Sequence, residues 1–80
     1  MRLDKFLKVS RILKRRTVAS EACDDGKVMV NGKEAKPSTK LKVGDVVEVL
    51  FGASSLRFRV LDLNEKVSKN EAGLLYEIIS

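Results

Sequence analysis

The sequence has no histidine, a single cysteine (Cys23), one tyrosine and three phenylalanines among its 80 residues. Each scarcity closes off some chemistry. Without histidine there is no Ser-His-Asp or Cys-His nucleophile system, and most zinc sites are excluded as well. One thiol cannot form an internal disulfide, which favours a reducing, cytoplasmic setting over secretion. No apolar run approaches the ~18 residues needed to cross a bilayer, and no apolar signal block follows the basic start, so no membrane association is expected. There is no glycine-rich phosphate loop and no catalytic pair of carboxylates. The expectation is therefore a protein that is not an enzyme and uses neither cofactor nor metal. The few aromatic residues also argue against binding single strands by base stacking, and for recognition of folded nucleic acid through its backbone.

What is present is positive charge, and it is concentrated. The first sixteen residues carry Arg2, Lys5, Lys8, Arg11, Lys14, Arg15 and Arg16 against the single carboxylate of Asp4. That surplus of six exceeds the formal net charge of +5 of the whole chain. Residues 1–42 hold twelve Lys/Arg against five Asp/Glu; residues 43–80 hold four against six. A directed positive field on a small protein faces a polyanion. The front half is thus expected to face the ligand and the back half to be scaffold.

With 44% apolar and 34% charged residues the composition is globular. No repeat, low-complexity stretch or linker divides it, so a single domain over residues 1–80 is expected. Leu3, Phe6, Leu7, Ile12 and Leu13 recur at helical spacing and predict an amphipathic helix over residues 3–13, loosened near Ser10. Thr17 as N-cap, Glu21 near the first turn, and the apolar face of Val18, Ala19, Ala22 and Cys23 predict a second short helix. Gly26 is its expected left-handed stop. Val28–Val30 runs into Asn31-Gly32, the strongest short hairpin signal, with Lys33, Glu34 and Ala35 returning as far as Pro37. After the Gly44-Asp45 turn, residues 46–51 read as a buried strand. Gly52–Ser55 make a turn, and Leu56–Leu61 alternate with Arg57 and Arg59 on a solvated face. Residues 64–73 read as a loop or a short turn of helix, and 74–79 as a last strand. The fold class is α+β. Two short N-terminal helices, arranged like a helix-turn-helix, pack on a small, mostly antiparallel sheet.

This arrangement brings three basic segments together: the first helix, the Lys14-Arg15-Arg16 turn, and Lys27, Lys33 and Lys36 around the hairpin. Arginine suits phosphate because its planar fork donates two parallel hydrogen bonds, while lysine supplies a freely placed point charge. The start of the second helix adds backbone N–H groups beside Arg16 and Thr17. The candidate RNA-binding residues are Arg2, Lys5, Lys8, Arg11, Lys14, Arg15, Arg16, Thr17, Lys27, Asn31, Lys33 and Lys36. Asn31 counts first as a turn residue and second as a contact. Asp4 reads as a helix-start carboxylate or an ion-pair partner orienting Arg2 or Lys8. Cys23, Phe6, Phe51 and Phe58 read as core, and Tyr76 is left open. From the residues alone, a DNA-binding module that places the helix pair in a groove stays an alternative.

The ordered set Arg2-Leu3-Asp4-Lys5-Phe6-Leu7, Lys14-Arg15-Arg16-Thr17, Gly26-Lys27-Val28-Met29-Val30-Asn31-Gly32-Lys33 and Val43-Gly44-Asp45-Val46-Val47-Glu48-Val49 resembles the RNA-binding domain named after small-subunit ribosomal protein S-four. The resemblance spans about residues 1–50, with residues 51–80 as a β-rich completion. Along its whole length the chain is similar to the small stand-alone bacterial members. These are the RqcP-type ribosome quality control factors and their relative heat-shock protein fifteen; the Phe51-Gly52 turn and the Tyr76-containing end favour the former. The resemblance implies the alpha-L RNA-binding motif, and Arg2 and Arg16 as principal RNA contacts. It implies non-catalytic binding to stalled large ribosomal subunits through large-subunit rRNA and peptidyl-tRNA. It also implies cooperation with RqcH in adding alanine tails to stalled chains, by a protein expected to be monomeric. A role in ribosome assembly, or in heat-shock-linked recycling of free large subunits, is the alternative.

Overall fold

The computed structural model describes residues 1–13 and 15–79, and of Arg16 its backbone alone. Helix α1 spans Leu3–Val9. Leu3, Phe6 and Leu7, at i, i+3 and i+4, are completely buried, while Lys5 and Lys8 point away from that face. The helix is shorter than the periodicity predicts. Ser10 ends it, and Arg11 takes a left-handed backbone (φ 62°). This reversal folds the chain over the helix end: the Arg11 N–H donates to Lys8 O at 3.0 Å, and the Leu13 N–H to Leu7 O at 3.0 Å. Leu13 is therefore buried by a turn and not by a third helical turn. The spacing of Ile12 and Leu13 mimics helix because both solutions bring these residues to the same apolar surface.

Helix α2 spans Arg16–Asp24. Ala19 and Cys23, one turn apart, are its buried residues. Extended Arg15, not Thr17, stands at the N-cap, and no side chain caps the helix. Thr17 lies exposed within the first turn. Glu21 sits in mid-helix, and the first turn holds no acid. The anchoring of Leu13 overrides the local preference of threonine: the chain leaves the turn extended and enters the helix as soon as it clears Arg15. The other end follows expectation. Gly26 is left-handed (φ 72°), its N–H donates to Cys23 O, and the Lys27 N–H donates to Ala22 O at 2.9 Å. This pair of bonds satisfies the terminal carbonyls of the helix.

The sheet contains β1 (Val28–Val30), β2 (Lys33–Glu34), β3 (Val46–Phe51), β4 (Ser54–Val60) and β5 (Tyr76–Ile78). Its order is β2-β1-β3-β4-β5, with every neighbouring pair antiparallel. Asn31 (φ 53°) and Gly32 (φ 82°) form the β1–β2 turn with both central residues left-handed, as the Asn-Gly pair predicts. The Asn31 side chain also ties this turn to the next strand, with Oδ1 accepting the Val46 N–H at 3.0 Å and Nδ2 donating to Asp45 Oδ1 at 3.2 Å. The segment between β2 and β3 runs back along the N-terminus. There the Leu3 N–H donates to Thr39 O, the Asp4 N–H to Pro37 O, and the Leu41 N–H to Met1 O, with Arg2 and Lys40 bridged.

Three details depart from expectation. β4 begins at Ser54, inside the turn expected over Gly52–Ser55. β3 is not buried throughout. Val47 and Val49 are sealed, but Leu50 and Phe51, at the strand end beyond the cover of the helices, are exposed, so Phe51 is not a core residue. The last strand begins only at Tyr76, because residues 69–75 form a 3-10 helix. That helix is started by Ser68, whose backbone N–H and Oγ both donate to Glu71 Oε1. The pattern Ser-x-x-Glu is a recognised start signal that the polar composition masked. Phe6 and Phe58 meet expectation: both are fully buried, stacked with ring centroids 6.1 Å apart. Tyr76, left open by the sequence, meets the Phe58 ring edge-on at 5.4 Å.

Candidate nucleic-acid interface

Arg2 precedes α1 in extended conformation, pinned by its backbone bridge to Lys40. Its guanidinium Nη2 donates to Asp4 Oδ2 at 3.2 Å. Asp4 is almost wholly buried, and its other oxygen accepts the Lys5 N–H at 2.8 Å. One carboxylate thus holds the helix start and aims a half-exposed arginine. Of the two orientations considered for Asp4, the structure brings it to Arg2. Arg2 and Lys36 line one groove, whose far wall is Ser20, Cys23 and Asp24 of α2. Lys36 is carried there by the segment that follows β2, so residues distant in sequence converge on one side of α2.

A second cationic group forms at the other end of α1. Lys8 and Arg11 line a groove with Lys69. Lys69 was passed over because its segment reads as a polar loop; only the folded chain carries it back to α1. Glu65 lies in the same groove and captures Lys5, Nζ to Oε2 at 2.9 Å. The hydrogen bond and charge of Lys5 hold the Glu65 carboxyl below the usual carboxylate range. Lys5 therefore faces an internal carboxylate.

The remaining candidates divide. Arg15, Thr17 and Lys33 are exposed. Lys14 and the side chain of Arg16 lie outside the described residues; the Arg16 backbone opens α2. With no side-chain cap and no acid in its first turn, that helix end presents its N–H dipoles to an anion. Lys27 does not join the Arg2 group, but lies across α2 with Glu21, Asp25 and Phe51. Asn31 spends its side chain on Asp45 and Val46, as a turn residue does. Arg57 and Arg59 pair with Glu48 (3.9 Å) and Glu77 (3.3 Å), as expected of a solvated strand face. Burial, with the Asp4 and Asp24 carboxylates nearby, pushes the Cys23 thiol up from 9.0 to about 11 and leaves it inert as a nucleophile.

These features carry the chemistry of phosphate recognition: oriented guanidinium, exposed ammonium groups and an open helix end. Comparison with known proteins agrees. The S4 domain family matches residues 1–47. The chain is 56% identical over 80 residues to the RQC P-site tRNA stabilizing factor of Streptococcus pneumoniae, covering all of this chain and 91% of that one. It is 47% identical to the protein of that name in Bacillus subtilis, covering 99% and 92%. A heat shock protein 15 homolog from Aeromonas salmonicida is 37% identical, covering 96% of this chain and 59% of its own length. Among solved structures, trimeric heat shock protein 15 of Vibrio cholerae superposes with a TM-score of 0.90 at 30% identity, covering all of this chain and 82% of that one. The chain belongs to the S4 domain family, within the group of the RQC P-site tRNA stabilizing factors.

Proposed function

We propose that this protein is a non-enzymatic RNA clamp of bacterial ribosome quality control, acting in the cytoplasm as one domain over residues 1–80. It binds large subunits that carry peptidyl-tRNA, touches both the P-site tRNA and large-subunit rRNA, and supports RqcH while that partner brings alanyl-tRNA for tailing. The observation that carries this reading is the Asp4-braced Arg2 sharing a groove with Lys36 along the Ser20–Asp24 side of α2. Arg2 and Lys36 serve the groove along α2, and Lys8 and Arg11 the groove at the opposite end of α1. Lys14, Arg15, Arg16, Thr17 and Lys33 are further contacts. Lys5 contributes once RNA draws it from Glu65, and Lys27 and Asn31 are peripheral. Coulomb attraction brings the clamp to the subunit, and fit to two RNA surfaces supplies selectivity. The 56% identity to the tRNA stabilizing factor of Streptococcus pneumoniae, against 37% to the heat shock protein 15 homolog, favours quality control over recycling of free subunits.

The test is purification of the tagged protein from cells at modest salt, with sequencing of bound RNA and identification of co-purifying proteins. Large subunits with peptidyl-tRNA and RqcH are expected. Precursor rRNA, or both subunits without tRNA, would move the function to assembly; duplex DNA would replace the clamp with a DNA-binding module. Sedimentation of the purified protein checks that it is a monomer.

A further inference from the structure

We propose that the groove between the end of α1 and the 3-10 helix Lys69–Leu75 is a second phosphate seat of the RNA clamp. Lys69 closes it against Lys8 and Arg11, and Glu65 stands in it as the counter-ion that RNA replaces. The inference rests on the clamp reading and carries it beyond residues 1–47, which the S4 family matches. Lys8 lies in the last turn of α1. Arg11 follows in the left-handed turn (φ 62°), its N–H donating back to Lys8 O at 3.0 Å, so one backbone reversal carries both cations to the same groove. Lys69 opens the 3-10 helix, which is fixed at both ends. Ser68 and Glu71 cap its start, and Ala72 and Leu75 are buried. Val67, just before it, packs against the core. Lys69 is thus presented from an anchored frame, and its charge comes from a part of the chain far from the basic N-terminus.

Charge selects the occupant. Lys8, Arg11 and Lys69 are exposed, and among the described residues none of the three has an ion-pair partner. Unpaired cations gathered in one concavity repel one another and concentrate a field that an incoming anion relieves. Glu65 is the one acid among the described residues that line the groove, and Lys5 holds it at 2.9 Å. Both side chains of that pair are well exposed, at 38% and 49%, where water makes an ion pair weak and a phosphate can exchange for the carboxylate. The described lining includes no aromatic ring on which a base could stack, which favours the sugar–phosphate backbone over splayed bases. Arg2 stands before α1 and Lys8 near its end, so the two cationic grooves lie about 10 Å apart along the seven-residue helix. That separation lets two phosphates be held at once.

The experiment titrates the full, fluorescently labelled protein with purified large ribosomal subunits carrying P-site tRNA, at several salt concentrations. Lys69→Ala is expected to weaken binding by about fivefold at 0.1 M salt and to reduce the log–log salt slope by about 1, as the loss of one phosphate contact does. Lys69→Arg should keep the parent's affinity. Lys42→Ala removes the same charge from outside both cationic grooves and should cost less than about twofold. Arg11→Gly keeps the left-handed turn but loses the guanidinium, and should match Lys69→Ala in slope, with circular dichroism showing the fold intact. Glu65→Gln should tighten binding by about threefold, while Glu77→Gln, which frees Arg59 on the sheet, should not. Lys69→Ala behaving like Lys42→Ala, or Glu65→Gln like Glu77→Gln, would overturn the seat, with the parent's binding still upholding the clamp. Absence of binding by the parent would strike the clamp and the seat together.

Discussion

Asp4→Asn separates charge from orientation, because the two effects have opposite signs. Removing a carboxylate from a cationic surface should tighten RNA binding if only net charge matters. A carboxylate roughly 7 Å from a bound phosphate repels it by about 0.6 kcal/mol in water, or about threefold in affinity, and by less once salt screens it. The geometry predicts the reverse. Asp4 is buried and grips the guanidinium of a half-exposed Arg2 at 3.2 Å. An arginine released from that grip must be ordered again by the RNA, at about 0.5–1.5 kcal/mol, or roughly 2- to 12-fold in affinity. Asparagine keeps an acceptor for the Lys5 N–H, so the fold loses about 1–3 kcal/mol from the charged hydrogen bond. A domain of this size has about 4–12 kcal/mol in total, so the variant stays folded. Anisotropy with labelled tRNA at 0.3 M salt should show weaker binding, with circular dichroism confirming the helices. Binding by folded Asp4→Asn as tight as the parent at 0.3 M salt would refute orientation as the role of Asp4.

Four further outcomes are expected. If six of the candidate cations meet phosphates, the log–log dependence of affinity on salt has a slope of about −4 to −5, measurable by filter binding; a flat profile would exclude a phosphate surface. Arg16→Ala should weaken association with large subunits in sedimentation while leaving the thermal melt within a few degrees of the parent, and Arg2→Ala should weaken it too, with a lower melt because it takes a guanidinium from the buried Asp4. Phe58→Ala removes a fully buried ring packed between Phe6 and Tyr76, at about 3–5 kcal/mol, and should lower the melting temperature by more than 10 °C, since each kcal/mol shifts a domain of this size by about 4–8 °C. The Cys23 thiol, raised to about 11 in the fold against 9.0 ordinarily, is protonated and protected at pH 8. Its raised value means its share of stability is whole below pH 9 and is lost as pH climbs toward 11. Denaturation should therefore ease through that window, and less so in a Cys23→Ala variant.

Features set by neighbours in the chain were legible in the sequence. Gly26 and Asn31-Gly32 announced themselves because a left-handed backbone demands particular residues. Phe6 and Leu7 did so because helical spacing leaves one side to bury. Arg11 gave no such signal: arginine has no preference for the left-handed region, and the turn exists because Leu13 gains burial by folding back. Phe51 shows the limit of hydrophobicity as a guide, since an aromatic at a strand end can stand outside the cover of the helices. The candidate interface was legible as a charge excess in residues 1–16 but not as an arrangement. The capture of Lys5 by Glu65, the return of Lys69 to α1, and the convergence of Arg2 with Lys36 all depend on long chain separations that local pattern does not encode.

The backbone bonds from Met1, Leu3 and Asp4 to residues 37–41 bear on the order in which this chain acquires its capability during its own synthesis. The segment with the two helices leaves the exit tunnel first, carrying seven of the sixteen cationic side chains. Arg2 finds its place only after the segment around Thr39, nearly half a chain later, has emerged to meet it. A nascent fragment ending near Gly26 carries seven cations against four acids and lacks the backbone partners of Leu3 and Asp4. The extended, bridged geometry of Arg2 therefore arises only once residues 37–41 have emerged.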